Sequence, residues 1–271
     1  MGPAIVDGAW LIDHTDDPNL VIADVRWYLD GRDGRAAFEQ AHIPGAVWID
    51  LDAWVAAPAS PEAGRHPMPT PEVFAYGAGS IGIGDDTTVV AYDDLGGLVA
   101  GRLVWMLRIL GRRAHLLDGG LQAWPEAPVS GTDSPSARTF TAQPWPSSAL
   151  ADIDEVADAT RAGTRVIDSR APERYRGDTE PVDPRAGHIP GAINLPFPEN
   201  LVDGRFRSPE ELRTRFTDAG IDGSSIFYCG SGVSACHNIL AAEAAGLDRP
   251  RLYPGSWSQW SSDPERPAAT S

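Results

Sequence analysis

Short apolar runs alternate with amphipathic stretches along the whole chain. Residues 97–111, GLVAGRLVWMLRILG, carry apolar side chains at helical spacing, and residues 208–220 open on Ser-Pro and close on Gly, as helices do. The apolar runs that predict strands lie near residues 21–25, 89–92, 114–117, 165–168, 225–228 and 251–253. Such alternation is typical of βαβ units, so we predict an α/β fold with mostly parallel sheets flanked by helices.

The second feature of the chain is an internal repeat. Both halves contain a strand ending in Asp-x-Arg, a variable loop and the five residues HIPGA, which begin at His42 and His188. Two later matches, TVVAYDD with SIFYCG and LLDGGLQAW with LYPGSWSQW, share one offset. A repeat of this length indicates duplicated domains rather than a solenoid. We predict an N-terminal domain over 1–124, a linker rich in Pro, Ser and Thr over 125–148, and a C-terminal domain over 149–271.

Charge narrows the possible classes of function. The 271 residues carry 22 Lys and Arg against 38 Asp and Glu, a formal net charge of −16, which argues against nucleic-acid binding. An anionic substrate would need a basic pocket built locally. The chain has two cysteines, no apolar run of about 18 residues and no signal-peptide pattern at its start. We therefore expect a cytoplasmic protein without a membrane segment or a disulfide framework.

The candidate chemistry lies in residues 229–236, CGSGVSAC, between a strand-like run and a helix-like run. Backbone N–H groups of such a loop point inward at the positive end of the helix, so they would stabilise the thiolate of Cys229 and make it a nucleophile. This chemistry needs neither a metal nor a cofactor. The alternative interpretation, that Cys229 is only a small buried hydrophobic residue, remains open at this point.

Neighbouring positions limit what the loop can do. Cys-dependent phosphatases and arsenate reductases place an Arg six residues after the cysteine, where this chain has Ala235. Asp93 occupies the position that matches Cys229 in the first half, and a carboxylate cannot carry sulfur. We therefore predict that the first domain is not catalytic. Cys236 either resolves an oxidised Cys229 or packs in the following helix.

With two Asp-x-Arg and HIPGA motifs and a cysteine loop only in the second half, the chain resembles the tandem rhodanese sulfurtransferases. The resemblance covers residues 21–260 and implies two rhodanese-like domains. In this family the cysteine takes sulfur from a small-molecule donor, holds it as a persulfide and passes it to an acceptor. The implied acceptor is cyanide or a thiol, such as that of thioredoxin.

The resemblance also separates two donors. The thiosulfate branch has Arg and often Lys after the cysteine, where this chain has Gly230 and Ser231. The loop is close to CGSGVTAC of the 3-mercaptopyruvate branch, with Ser234 in place of Thr. The resemblance thus favours 3-mercaptopyruvate as donor. A thiosulfate sulfurtransferase, or a binding module that relays or senses sulfur, remains an alternative.

Roles for further residues follow from the resemblance alone. Arg174 and Arg185 would hold the carboxylate and ketone of the donor, a task suited to the planar guanidinium, unless they are solvated surface residues. Asp52, His66 and Ser231 would relay a proton. Together with Ala235, the loop residues expected to bind substrate and persulfide sulfur are Gly230, Gly232, Val233 and Ser234.

Overall fold

The structure, a computed structural model, describes residues 2–132 and 135–271. By its contacts the chain divides into two compact units. Unit 1 comprises Met1–Ala57, Pro69–Trp145 and Asp203–Phe206, and unit 2 comprises Pro58–Met68, Pro146–Val202 and Arg207–Ser271. The predicted boundaries follow the order of the chain and group residues 58–68 with the first domain, whereas these residues pack in unit 2.

Unit 1 is built on a five-stranded sheet in which every pairing is parallel and the strand order is β1-β5-β4-β2-β3. Its strands are β1 (Ile5–Val6), β2 (Leu20–Asp24), β3 (Ala46–Trp48), β4 (Thr88–Tyr92) and β5 (Arg113–Leu117). Its helices are α1 (Gly8–His14), α2 (Gly34–Gln40), a π-helical turn (Leu51–Val55), α3 (Pro71–Ser80), α4 (Ala100–Ile109) and a 3-10 turn (Gly120–Ala123).

Unit 2 is built on a four-stranded parallel sheet of order β11-β10-β6-β7. Its sheet strands are β6 (Val166–Asp168), β7 (Ile193–Asn194), β10 (Ile226–Tyr228) and β11 (Arg251–Leu252), and it also contains the short strand β8 (Leu201–Val202). The short strand β9 (Arg205–Phe206) belongs to unit 1. The helices are α5 (Ile153–Ala162), α6 (Pro172–Arg176), α7 (Pro209–Asp218), α8 (Ser234–Ala244) and α9 (Ser256–Ser262), with 3-10 turns at Ser147–Ala149 and Phe197–Asn200. The predicted α/β fold with parallel sheets flanked by helices is confirmed.

The core of unit 2 contains residues from its sheet and from the helices that flank it. Ile226 and Tyr228 of β10 pack with Val166 of β6 and with Trp257 and Trp260 of α9, all at most 2% exposed. Full burial of one such side chain stabilises the fold by roughly 1.5–3 kcal/mol. Because this packing holds β10 in place, the backbone of the next residue, Cys229, is fixed as well.

The Asp-x-Arg pairs are structural in both units. Arg170 binds Asp168 at 2.6 Å and donates to the carbonyl of Gly187 at 2.6 Å, just before HIPGA. In unit 1 Arg26 binds Asp24 at 2.7 Å and donates in the same way to the carbonyl before the first HIPGA. Each pair therefore ties the end of a strand to the turn that starts the next strand, as the repeat of the motif in both halves suggests.

Each HIPGA turn is fixed by its own histidine as well. His42 Nδ1 donates to the carbonyl of Phe38 at 2.8 Å, and His188 Nδ1 donates to the carbonyl of Tyr175 at 2.7 Å. The ring of His42 also stacks on the ring of Phe38, with centroids 4.0 Å apart. The ring of His188 stacks in the same way on the ring of Tyr175, with centroids 3.7 Å apart. These histidines stabilise turns.

Every helix within the described residues is too short or too polar to serve as a membrane span.

Candidate active site

The candidate nucleophile is fixed by its backbone. Cys229 directly follows β10 and is 2% exposed. Its N–H donates to Ser256 Oγ at 3.1 Å, and its carbonyl accepts the N–H of Trp257 at 3.0 Å. Ser256 has φ +54°, a left-handed conformation that a non-glycine residue adopts only under local constraint. The first turn of α9 thus anchors the residue that carries the thiol.

The sulfur of Cys229 accepts a backbone N–H of its own loop. The N–H of Gly232 donates to Cys229 Sγ at 3.1 Å, and Gly232 has φ +76°, which its missing Cβ allows. The loop leads into α8, so the positive end of that helix faces the same region. A buried sulfur with an N–H donor is a site that stabilises negative charge on sulfur. Cys236 packs in the first turn of α8 with its thiol on the carbonyl of Gly232 at 3.3 Å, and its redox role stays a prediction.

The structure brings His66 and Ser231 together. His66 Nδ1 lies 2.8 Å from Ser231 Oγ, and the two residues are 6% and 7% exposed. Although His66 is far from Ser231 in sequence, Pro58–Met68 belongs to unit 2, where Arg65 N–H donates to Ser258 Oγ at 3.0 Å. Two of the four predicted catalytic residues therefore form a hydrogen-bonded pair, and one of them, Ser231, lies in the loop that carries Cys229.

Asp52 belongs to unit 1. It lies in the π-helical turn Leu51–Val55 behind the cap Asp50, is exposed to solvent, and its Oδ2 accepts the indole N–H of Trp27 at 2.9 Å. Its part in a proton relay with His66 and Ser231 stays a prediction.

Arg174 lies beside the Cys229 loop. It sits in α6, and its Nη2 donates to Glu180 at 2.7 Å and to Asp183 at 3.0 Å. A Cβ built on Gly230 would lie 3.5 Å from Arg174 Nη1. One predicted substrate-binding arginine is therefore next to the residue that follows the nucleophile.

Arg185 is bonded to backbone carbonyl groups of its own unit. Its guanidinium donates to the carbonyls at the end of α9 and just beyond it: Trp260 at 3.0 Å, Ser261 at 2.8 Å, Asp263 at 2.7 Å and Arg266 at 2.8 Å. Four of its five N–H donors are used in this way. In this structure Arg185 therefore caps the end of α9, and its part in binding the donor stays a prediction.

A second guanidinium beside the loop, that of Arg65, is not among the residues that the family resemblance predicts. Its Nη1 pairs with Asp183 Oδ1. A Cβ built on Gly230 would lie 2.9 Å from Arg65 Nη2, closer than the 3.5 Å that separates it from Arg174 Nη1. A signal was present in the sequence, because Arg65 precedes His66 and a chain of net charge −16 must build any anion site locally.

Buried ion pairs link these arginines to the Asp-x-Arg motif. Arg170 binds Glu180 at 3.0 Å, and Glu180 and Asp183 both bind Arg174. Burial disfavours the charged Glu180, but hydrogen bonds from Arg174 and from the N–H groups of Val182 and Asp183 outweigh it and hold the pKa of Glu180 below its usual value. Burial raises the pKa of Asp183, and the nearby charge of Glu180 raises it further. The positive charges of Arg65 and Arg174 lower this pKa, but their effect is smaller than that of burial. A network of this kind positions side chains more than it stabilises the fold.

The matching loop of unit 1 holds a carboxylate in place of a thiol. Asp93 is fully buried and accepts four backbone N–H groups: Leu95 at 2.8 Å and Gly97 at 2.8 Å on Oδ1, Val99 at 2.8 Å and Ala100 at 2.9 Å on Oδ2. A loop of this shape therefore binds an anion through its backbone.

Among the described residues, no group of three or more His, Cys, Asp or Glu side chains could hold a metal ion.

Comparisons with known proteins agree with this geometry. The family model described as a rhodanese-like domain matches residues 7–127 and again residues 152–263. A protein of Pseudomonas aeruginosa that carries the name of a 3-mercaptopyruvate sulfurtransferase is 43% identical over 94% of this chain and 93% of its own. SseB of Mycobacterium tuberculosis, which carries the name of a thiosulfate sulfurtransferase, is 42% identical over 93% of this chain and 90% of its own.

A solved structure is similar over the same length. The crystal structure of SseA from Escherichia coli, described with the rhodanese fold of 3-mercaptopyruvate sulfotransferases, superposes with a TM-score of 0.83 at 30% identity and covers 94% of this chain and 99% of SseA. Both sequence and fold are thus shared across the two units. The chain belongs to the tandem-domain rhodanese sulfurtransferases.

Proposed function

We propose that this sulfurtransferase moves sulfur from 3-mercaptopyruvate to a thiol acceptor through a persulfide on Cys229. The observation that carries the proposal is the Cys229 sulfur, buried with the Gly232 N–H on it, in a loop whose Ser231 is hydrogen-bonded to His66. The names of the relatives from Pseudomonas aeruginosa and Escherichia coli support the choice of donor.

In the first half-reaction the Cys229 thiolate attacks the sulfur of 3-mercaptopyruvate. A bond forms between Sγ and the donor sulfur, and the carbon–sulfur bond of the donor breaks. The electron pair of that bond passes to the carbon, which leaves as the enolate of pyruvate and takes up a proton. Pyruvate departs and the persulfide remains on Cys229.

The pair Ser231 and His66 is placed to supply that proton. Ser231 is two residues from the nucleophile, and its hydroxyl is 2.8 Å from His66 Nδ1. A proton can pass from the imidazole through the hydroxyl to the leaving enolate. Asp52 is the third member that the family resemblance predicts for this relay.

The loop in unit 1 supports a specific set of donors for the persulfide. The four N–H groups that bind Asp93 correspond, at the offset of the repeat, to those of Ser231, Val233, Ala235 and Cys236. We propose that these groups, with the N–H of Gly232, hold the outer sulfur of the persulfide. Gly230 and Ser234, predicted from the family resemblance to act with them, would shape the loop rather than donate.

In the second half-reaction an acceptor thiol, such as that of thioredoxin, or cyanide attacks the outer sulfur and releases the Cys229 thiolate. Both cysteines are free thiols. Because persulfide chemistry requires reduced thiols, we also propose that the protein works in the cytoplasm.

A thiosulfate sulfurtransferase is the second candidate, favoured by the name of the Mycobacterium tuberculosis relative. Against it, the position after Cys229 is Gly230, and a side chain there would meet Arg65 and Arg174. The family places its thiosulfate-binding Arg at that position, so the loop lacks the cation of that branch.

One experiment tests both candidates. Rates of sulfur transfer to a dithiol are measured with 3-mercaptopyruvate and with thiosulfate at equal concentrations, and we expect the higher kcat/KM for 3-mercaptopyruvate. Mass spectrometry after donor treatment should show one added sulfur on the Cys229 peptide and none in Cys229→Ser, with Cys236→Ser as the matched control. A higher kcat/KM for thiosulfate would reverse the donor, and transfer by Cys229→Ser would refute the mechanism.

A further inference from the structure

We infer that Arg65, together with Arg174, forms the subsite that binds the carboxylate of the sulfur donor, and that Asp183 positions both guanidinium groups for this task. The inference rests on the proposed function, because it assigns the specificity of the same site. It adds Arg65 and Asp183 to the pair Arg174 and Arg185 that the family resemblance predicts.

Both guanidinium groups lie over the residue that follows the nucleophile. A Cβ on Gly230 would lie 2.9 Å from Arg65 Nη2 and 3.5 Å from Arg174 Nη1. The glycine leaves open the volume that these two groups border. In 3-mercaptopyruvate two carbons separate the sulfur from the carboxylate, so a donor whose sulfur is at Cys229 can place its carboxylate beside Gly230, the next residue.

Donors of the two arginines remain available there. The hydrogen bonds described for Arg174 use Nε and Nη2, and the side-chain bond described for Arg65 uses Nη1. Arg65 Nε is buried without a hydrogen-bond partner among the described residues. A buried N–H without an acceptor is costly, and a carboxylate held between the two guanidiniums would satisfy it.

Asp183 fixes the two arginines relative to each other. Its side chain is 2% exposed, with Oδ1 on Arg65 and Oδ2 on Arg174. The backbone N–H of Asp183 is itself bound to Glu180 at 3.0 Å. One buried carboxylate therefore bridges two cations that come from distant parts of the chain, so neither has to be ordered when the donor binds.

The test compares two donors that differ only in the carboxylate. Mercaptoacetone keeps the thiol and the ketone of 3-mercaptopyruvate and has a methyl group in place of the carboxylate. In Arg65→Gln we expect kcat/KM for 3-mercaptopyruvate to fall roughly 10- to 100-fold, mainly through KM, while the preference over mercaptoacetone falls by the same factor. Arg176→Gln is the matched control, since Arg176 is exposed and pairs with Asp178. Equal losses with both donors, or no loss, would overturn the inference.

A binding measurement keeps the inference separate from the proposed function. Pyruvate carries the carboxylate without the sulfur, and its affinity for Cys229→Ser can be measured by calorimetry. We expect Arg65→Lys, which keeps the charge but not the planar fork, to weaken pyruvate binding about tenfold, and Asp183→Asn to weaken it similarly. Unchanged pyruvate binding would refute the role of Arg65 even if sulfur transfer stands. If the unaltered protein takes no sulfur from 3-mercaptopyruvate, the proposed function fails, and pyruvate binding still decides the subsite.

Discussion

The loops at residues 93–100 and 229–236 occupy the same place in two copies of one fold, yet they hold different groups. In unit 1 the loop encloses the carboxylate of Asp93, which accepts four backbone N–H groups. In unit 2 the loop carries a thiol with one N–H, that of Gly232, on its sulfur. The first loop is therefore an anion site filled by its own side chain, and the second is an anion site that can still receive charge.

This difference shows what separates a structural loop from a reactive one. The backbone of both loops favours negative charge, because each precedes the N-terminus of a helix. In unit 2 the loop also carries a thiol, a hydroxyl bound to an imidazole, and a pair of arginines beside it.

The largest effect is expected from making the second loop resemble the first. In Cys229→Asp a carboxylate can accept the loop N–H groups as Asp93 does, but it cannot form a persulfide. We expect sulfur transfer to fall by at least about 10⁴-fold while the protein remains folded. Steady-state rates and thermal unfolding check this, with Cys236→Ser as the control. Transfer within tenfold of the unaltered protein would mean that another thiol is the carrier.

The next effect concerns the proton relay that we propose for Ser231 and His66. In His66→Gln we expect kcat to fall about 100-fold, because the leaving enolate loses its proton source. Ser231→Ala should cost about as much, and the double variant little more, since the two residues act as one unit. His14→Gln, which alters a histidine of unit 1 stacked on Trp10, is the control. Fully additive losses would contradict a shared relay.

The filled loop of unit 1 predicts an effect on stability. In Asp93→Asn one oxygen of the side chain is replaced by an NH₂ group, which faces two N–H donors instead of accepting them. We expect the free energy of unfolding to fall by about 3 kcal/mol, with kcat of the folded protein unchanged. Urea denaturation measures this, and the exposed Asp13→Asn is the control. A change below about 0.5 kcal/mol would mean that the loop does not depend on the carboxylate.

The smallest effect concerns acid stability. Arg170 in unit 2 extends the Asp-x-Arg pair to Glu180, whose pKa is held below its usual value chiefly by Arg174 and backbone N–H groups acting against burial. A carboxyl group with a depressed pKa stabilises the fold above its unfolded pKa, and this stability is lost as the pH falls through the folded pKa. We expect Glu180→Gln to be less stable than the unaltered protein at pH 7, and the two stabilities to converge below about pH 4. Unfolding curves against pH measure this, with the exposed Glu210→Gln as control; a gap that persists in acid would point to packing instead.

Much of the fold could be predicted because its signals are local. The apolar runs predicted near residues 21–25 and 225–228 correspond to β2 and β10, and the stretch 208–220 contains α7. Each HIPGA turn leads into a short strand, β3 or β7, as the Pro after Ile suggests. Periodicity, caps and turns depend on neighbours a few residues apart, and these are visible in the chain itself.

The site was harder to predict because its residues meet through long-range packing. Arg185 has the right residue type and a plausible place in sequence, but its partners are carbonyls at the end of α9, about 75 residues further along the chain. Nothing local to Arg185 marks these acceptors. Arg65 was not predicted for the same reason, because its proposed role depends on its distance to Gly230 and on its pairing with Asp183.

Residue type and local order are enough to predict the α/β class, the duplication, the cysteine loop and the absence of a thiol from its counterpart. Long-range packing brings residues 58–68 into unit 2, sets Arg65 beside Gly230 and lets Asp183 bridge two arginines. The physical reason is that a guanidinium bonds to whichever acceptors the folded chain brings within about 3 Å, and that choice is made by packing across the unit.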